Sequence, residues 1–356
     1  CGLAAGILRE AASQAYSLIG EVIPSDVPGL TAMGVRRPAG VVVGMAPWNA
    51  PVILGTRAVA TPLAFGNTVV LKASEKCPRV HAAIAAAIVD AGAPAGVVNF
   101  ITHAPADAPE VVDALIAHPA VRRVNFTGST AVGRIVAVKC AEHLKRCLLE
   151  LGGKAPLIVL DDADLGEAAS AASFGAFMNS GQICMSTERV IADRAVAPEL
   201  LERLATRAGE LVVGDPRDQG TMVGPVADAA ATERILDLIE DARGLGAEIV
   251  AGGAAEGNLM QPTVIAGVTP QMRLYAEESF GPVVTLVEAD GVEDAVRLAN
   301  DSEYGLSAAV FGGDVDRAWQ VAQRIESGIC HVNSATVQDE AQMPFGGVKG
   351  SGYGRF

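Results

Sequence analysis

The chain has 356 residues, 50% of them hydrophobic and 19% charged, with a formal net charge of −14. That much aliphatic material excludes a disordered chain, and the acidic balance excludes general nucleic-acid binding, which needs clustered Lys and Arg. No apolar run reaches the ~18 residues of a membrane span, and the length suits two domains of roughly 100–200 residues each. Six cysteines, at 1, 77, 140, 147, 184 and 330, form neither a CxxC pair nor a Cys/His zinc spacing. No metal site is expected from them, and a reduced, cytoplasmic setting is.

In chain order, residues 3–19 read as a helix, and 20–37, with Pro24, Pro28, Gly29 and Gly34, as an extended arm or hairpin. From residue 39 short β runs alternate with helices. GVVVGMAP, NTVVLKA, GVVNFI, VRRVNFTG, KRCLLELGG and PLIVLDD are expected strands; 51–64, 78–91, 108–117 and 130–143 are the helices between them. Nearly all-apolar strands separated by helices indicate a parallel sheet buried on both faces, that is, a doubly wound α/β domain. A helix is expected over 165–179, its Phe174, Phe177 and Met178 stripe reading as core packing. Strands at 189–193, 248–252, 282–289, 307–313 and 328–333, with helices near 197–212, 229–245, 291–300 and 315–326, then imply a second α/β domain.

Several short segments carry chemistry. Cys184 follows a helix in NSGQICMST, where a loop thiol near backbone N–H groups is a candidate nucleophile; a plain buried thiol is the alternative. Glu150 stands in the otherwise apolar CLLELGG, and burial raises a carboxyl toward the range of a general base. The five histidines lie in no loop motif, so Glu is favoured over His as the base. Asn49 in APWNAP is either a helix N-cap or an amide donor aimed at a developing oxyanion. Lys72 and Glu75 in LKASE are either a ribose-binding pair or a solvated turn. Gly128 and Ser129 in FTGSTAVGR open a helix after a strand, a turn that offers N–H groups to a pyrophosphate. Glu278 and Phe280 in EESFGPV, and the Gly-rich PFGGVKGSGYG, decide nothing alone.

Taken together and in this order, APWNAP, LKASE, NFTGST, LELGGKAP, GQIC, ESFGPV and PFGGVKGSGYG resemble the aldehyde dehydrogenase superfamily, within it most of all the salicylaldehyde, benzaldehyde and vanillin dehydrogenases. The resemblance runs from about residue 35 to the last residue, and it implies that the full family fold extends beyond both Cys1 and Phe356. It implies an NAD-binding domain at 1–19 and 38–152, an oligomerisation arm at 20–37 and a catalytic domain at 153–350. It assigns Cys184 as nucleophile, Glu150 as the base that hydrolyses a thioester, and Asn49 to the oxyanion hole. Trp48, Lys72, Glu75, Gly128, Ser129, Glu278 and Phe280 become cofactor contacts. Glu75 favours NAD over NADP, because a carboxylate repels a 2′-phosphate. Small Ala50 leaves room for an aromatic ring, in a pocket expected from Ala50, Ile53, Leu54, Arg57, Met178, Ile183, Met185 and Phe345, with Arg57 toward a ring hydroxyl. A homo-dimer or tetramer is expected, with no nucleic-acid or membrane partner. The alternatives are an enzyme for aliphatic aldehydes or semialdehydes, and a non-catalytic relative.

Overall fold

The computed structural model describes residues 1–356, which divide into two compact units. The first holds Cys1–Glu150 with 340–344 and 354–356; the second holds Leu151–Asp339 with Phe345–Tyr353.

In the first unit, helix α1 (Gly2–Ser13) is followed by a two-stranded antiparallel hairpin, β1 (Glu21–Ile23) and β2 (Ala32–Gly34). The expected arm is therefore this hairpin, and its strands bury almost nothing. Strands β3 (Val41–Met45), β4 (Thr68–Lys72), β5 (Val98–Ile101), β6 (Val121–Thr127) and β7 (Arg146–Glu150) then alternate with α2 (Pro51–Ala64), α3 (Pro78–Asp90), α4 (Ala108–Ala117) and α5 (Thr130–Glu142). The strands run parallel in the order β7-β6-β3-β4-β5. Their aliphatic residues drive this arrangement. Val42, Val69 and Leu71 pack against Ala58 and Val59 of α2 and Ile84 of α3. Val43 and Val124 are equally sealed from water. Each such side chain contributes about 1.5–3 kcal/mol on burial.

The second unit runs β8 (Ala155–Val159), α6 (Leu165–Phe177), β9 (Thr187–Asp193), α7 (Ala197–Glu210), α8 (Ala229–Gly244) and β10 (Glu248–Ala251). A small hairpin, β11 (Ala255–Glu256) and β12 (Leu259–Met260), precedes β13 (Thr263–Ala266) and α9 (Arg273–Ala276). The chain continues with β14 (Val283–Ala289), α10 (Gly291–Asn300), β15 (Ser307–Phe311), α11 (Val315–Ala322) and β16 (Ile329–Val332). The seven-stranded sheet is ordered β10-β13-β14-β9-β8-β15-β16, and only the β10-β13 pairing is antiparallel. Alternate residues of β8 enter opposite cores. Leu157 and Val159 meet α6 and α7, whereas Ile158 and Leu160 meet α10 and α11. Helices on both faces make the unit doubly wound, as the apolar strand pattern requires.

Two differences from the sequence expectation have physical causes. Strand β13 was not anticipated, since TVIA is only four residues between turns. Helix α6 stops at Phe177, short of the expected 179, because Asn179 and Ser180 take left-handed backbone angles (φ 50° and 57°). Its supposed core stripe is a correction as well. Phe177 is 2% exposed, but Phe174 and Met178 are 50% and 46% exposed.

Candidate active site

In the first unit, seven of the expected residues gather at the carboxyl edge of one sheet. Strands β3, β4, β6 and β7 end at Met45, Lys72, Thr127 and Glu150. Trp48, Asn49, Lys72, Glu75, Gly128, Ser129 and Glu150 lie at those ends or within a few residues beyond them. This is the edge at which open parallel sheets bind ligands.

The local reasons can be read residue by residue. After β3 the chain turns through APWNAP, and Ala50, not Asn49, takes the N-cap position of α2, with Pro51 in the first turn. The helix-capping reading of Asn49 is thereby removed, and its amide remains a candidate donor. Lys76 places its ammonium 5.0 Å over the Trp48 ring, a cation–π contact that steadies the turn. Lys72 Nζ lies 2.6 Å from Glu75 Oε1, and His103 Nε2 lies 3.0 Å from the same oxygen. Burial works to raise the Glu75 carboxyl, but the Lys72 hydrogen bond and charge win and hold it below the usual range. Ser129 caps α5, its Oγ accepting from Val132 N at 3.4 Å. The Glu150 side chain is fully buried, and its carbonyl accepts from Gly128 N at 3.0 Å.

These groups fit a dinucleotide. An ammonium and a carboxylate side by side match the donor and acceptor needs of a ribose diol. The start of a 13-residue helix presents N–H groups and a positive dipole end to a diphosphate.

The residues of this unit that were expected to line an aldehyde pocket are less uniform. Ala50 is half-buried and Leu54 is 7% exposed. Ile53 packs beside Leu3 and Ile7 of α1. Arg57 is 4% exposed and lines a cavity of about 300 Å³ with Val42, Thr61, Phe65, Asn67 and Arg123. Ala50, Ile53 and Leu54 do not line that cavity.

In the second unit, Cys184 sits half-buried in the turn between α6 and β9. The turn is fixed from several sides. Ser186 N donates to Ile183 O at 2.9 Å, and Ser186 Oγ donates to Gly175 O at 3.0 Å. Thr336 Oγ1 donates to Met185 O at 2.7 Å, and Ala227 N donates to Gln182 Oε1 at 2.8 Å. Gly153 lies so close that a Cβ there would stand 2.1 Å from the Cys184 carbonyl oxygen. Gly181 combines φ +69° with a virtual Cβ 1.9 Å from Gly281 O, so only glycine serves. Ile183 is half-buried, and Met185 and Phe345 are buried at 8% and 3% exposure.

Glu278 and Phe280 occupy the turn before β14. Glu278 Oε1 accepts from Gly153 N at 2.8 Å. Desolvation pushes this carboxyl up to about 8, the nearby Glu188 charge adds to the rise, and the Gly153 bond, Lys154 and Arg234 oppose it. Phe280 has φ 45°, a left-handed backbone that costs about 1–3 kcal/mol and needs support.

That support comes from residues the sequence reading passed over. Glu188 accepts from Ser279 N and Phe280 N, and Arg234 donates to the carbonyls of Glu278 and Ser279. Lys154 pairs with Glu188, both sealed from solvent. Arg189 spends its guanidinium on the carbonyls of Leu298 and Ala299 at the end of α10. The available signal was the one used for Glu150: a charged residue inside an apolar strand, here TERVIAD.

The model of the family described as "Aldehyde dehydrogenase family" matches residues 2–356. The chain belongs to the aldehyde dehydrogenase family. It is 61% identical over 354 residues to a vanillin dehydrogenase of Pseudomonas fluorescens, covering 99% of this chain and 73% of that protein. It is 50% identical over 353 residues to a salicylaldehyde dehydrogenase of Pseudomonas sp. strain C18, again 99% of this chain and 73% of the relative. A crystal structure of a salicylaldehyde dehydrogenase from Pseudomonas putida G7, complexed with salicylaldehyde, superimposes with a TM-score of 0.98 at 49% identity. That match spans 100% of this chain and 74% of the other. As an aldehyde dehydrogenase the protein is an oxidoreductase of aldehydes, and the family's cofactor is NAD or NADP. No helix is long and apolar enough to cross a membrane.

Proposed function

We propose that this aldehyde dehydrogenase oxidises an aromatic aldehyde to the carboxylic acid, with NAD as the preferred acceptor. The observation that carries the reading is the 61% and 50% identity to enzymes named for vanillin and salicylaldehyde, joined to a small Ala50 at the start of α2. Leu54 on the same helix, and Ile183, Met185 and Phe345, are apolar residues assigned to the ring. Ile53 and Met178 are assigned to its margins and Arg57 to a ring hydroxyl.

The Cys184 thiolate attacks the aldehyde carbon, forming a C–S bond and an alkoxide. The Asn49 amide and the Cys184 backbone N–H donate to that oxyanion. NAD, when bound, would supply the acceptor for the hydride that leaves the carbon. Collapse of the alkoxide leaves a thioester on Cys184. Glu150 takes a proton from water, the water oxygen attacks the thioester, and the C–S bond breaks to release the acid. Lys72 and Glu75 are assigned to the adenosine ribose, and Gly128, Ser129 and the start of α5 to the pyrophosphate. Trp48 is assigned to the cofactor groove, Glu278 to the nicotinamide ribose and Phe280 to the ring.

Glu75 supports NAD over NADP. Like charges at about 4 Å cost about 4 kcal/mol in a surface-like dielectric, and Lys72 offsets part of this, so NADP is the alternative. The exposed apolar side chains of the hairpin, Val22 (75%), Met33 (66%) and Val35 (67%), support its use as an oligomerisation arm. A dimer or tetramer in the cytoplasm completes the proposal, in keeping with six cysteines and no disulfide.

The deciding measurement is kcat/KM for vanillin, salicylaldehyde and benzaldehyde against acetaldehyde, with NAD and with NADP. A preference for acetaldehyde removes the aromatic assignment, and a preference for NADP removes the cofactor assignment.

A further inference from the structure

The second unit buries an ion pair, Lys154 and Glu188, to which the proposed mechanism gives no part in bond-making. Lys154 is 2% exposed and Glu188 is 2% exposed, and their ammonium and carboxylate stand 2.5 Å apart. Taking two ions out of water is costly, and such a pair is weak evidence for stability in itself. The other bonds of Glu188 show what the pair holds.

Glu188 Oε1 accepts from Ser279 N at 2.8 Å and from Phe280 N at 3.1 Å, and Oε2 accepts from Ser279 N at 2.9 Å. One carboxylate thus gathers two consecutive amides of the turn whose Phe280 is left-handed. Arg234, from α8, holds the same turn by its carbonyls, at 3.1 Å to Glu278 and 2.6 Å to Ser279. The next residue, Gly281, is in backbone contact with Gly181 in the segment leading to Cys184. Gly153, the neighbour of Lys154, donates to Glu278 and abuts the Cys184 carbonyl. The two amides of the turn are thus held by Glu188, its carbonyls by Arg234, and the Glu278 carboxylate by the residue beside Lys154.

We propose that Glu188, fixed by Lys154, is a positioning residue that locks the 278–280 turn in the shape that receives the nicotinamide end of the cofactor. This rests on the assignment of Glu278 and Phe280 to that end. Glu188 touches neither cofactor nor substrate in this account; it acts through the backbone of Ser279 and Phe280.

The test avoids single substitutions, which strand a buried charge and are strongly destabilising whatever the residue's role. Two double variants each remove both charges. Lys154→Met with Glu188→Gln keeps one acceptor oxygen for the turn, and Lys154→Met with Glu188→Leu keeps none. In protein free of cofactor, NMR amide exchange at Ser279 and Phe280 is expected to accelerate at least tenfold in the Leu pair and much less in the Gln pair. KM for NAD, and NADH affinity by fluorescence titration, are expected to weaken about tenfold in the Leu pair, with rescue in the Gln pair. KM for the aldehyde is expected to stay within about twofold in both.

Unchanged exchange at the two amides overturns the proposal, as does equal behaviour of the two variants in exchange and NADH affinity. Faster exchange with unaltered NADH affinity also overturns it, and places the fault in the cofactor assignment of the turn. A wild-type enzyme that prefers acetaldehyde instead sinks only the aromatic reading, because the exchange and NADH measurements use no aldehyde.

Discussion

The two units hold their candidate site residues by different physical means. In the first, the groups sit on the ends of parallel strands. The hydrogen-bond ladder of the sheet aims Lys72, Gly128 and Glu150, and little else is needed. In the second, Cys184 and Glu278 sit in turns that no ladder supports. Those turns carry left-handed residues and are held by glycines pressed against carbonyls and by a carboxylate buried with its counter-ion. A strand end tolerates change around it, because the sheet is redundant. A turn held by a few struts does not.

The sharpest way to break the contrast is at the nucleophile. Cys184→Ala is expected to abolish aldehyde oxidation, whereas Glu150→Gln is expected to keep a rapid hydride burst and slow acid release by about 100-fold or more. Stopped-flow absorbance separates the two, and equal loss of burst and turnover in the Gln variant counts against its assigned role. Next in size is Gly181→Ala. A left-handed alanine with a Cβ 1.9 Å from a carbonyl oxygen has to displace the Cys184 segment. A loss of about 3 kcal/mol is expected on denaturant unfolding, and a loss within error would show the struts to be slack.

Third is the Glu278 carboxyl. Its folded value near 8 stands above the 4.5 of an unperturbed Glu. The folded chain therefore keeps a proton that the unfolded chain has surrendered. This contribution to stability is complete below about pH 4.5, fades as pH rises, and is gone above about 8. Against Glu278→Gln, which has no such proton, the wild type is expected to lose several degrees of relative Tm between about pH 5 and pH 9. A pH-independent difference would mean that the carboxylate is ionised throughout. The smallest effect belongs to the strand-end unit. Glu75→Gln is expected to raise the NADP-to-NAD ratio of kcat/KM about tenfold while leaving Tm within about 2 °C.

The same contrast explains what could be read before folding was known. The parallel sheets were legible because strands buried on both faces are continuous aliphatic runs, and their carboxyl ends then locate Asn49, Lys72, Ser129 and Glu150. The struts of the second unit were not. Glu188 and Arg189 stand out in TERVIAD, yet nothing local says that one grips amides some ninety residues on and the other caps α10. Phe174 and Met178 misled for a related reason. Helical spacing predicts a shared face but not whether that face is covered, and here Phe174 and Met178 are each about half exposed.

One consequence follows from the hairpin of β1 and β2. Its strands shield almost nothing apolar from solvent, Ala32 alone being partly covered, and an isolated two-stranded ribbon is marginal in water. What keeps it ordered in solution must come from whatever it meets. On its proposed use as an oligomerisation arm, its protection against deuterium uptake is expected to grow with protein concentration, and protection independent of concentration would remove that use.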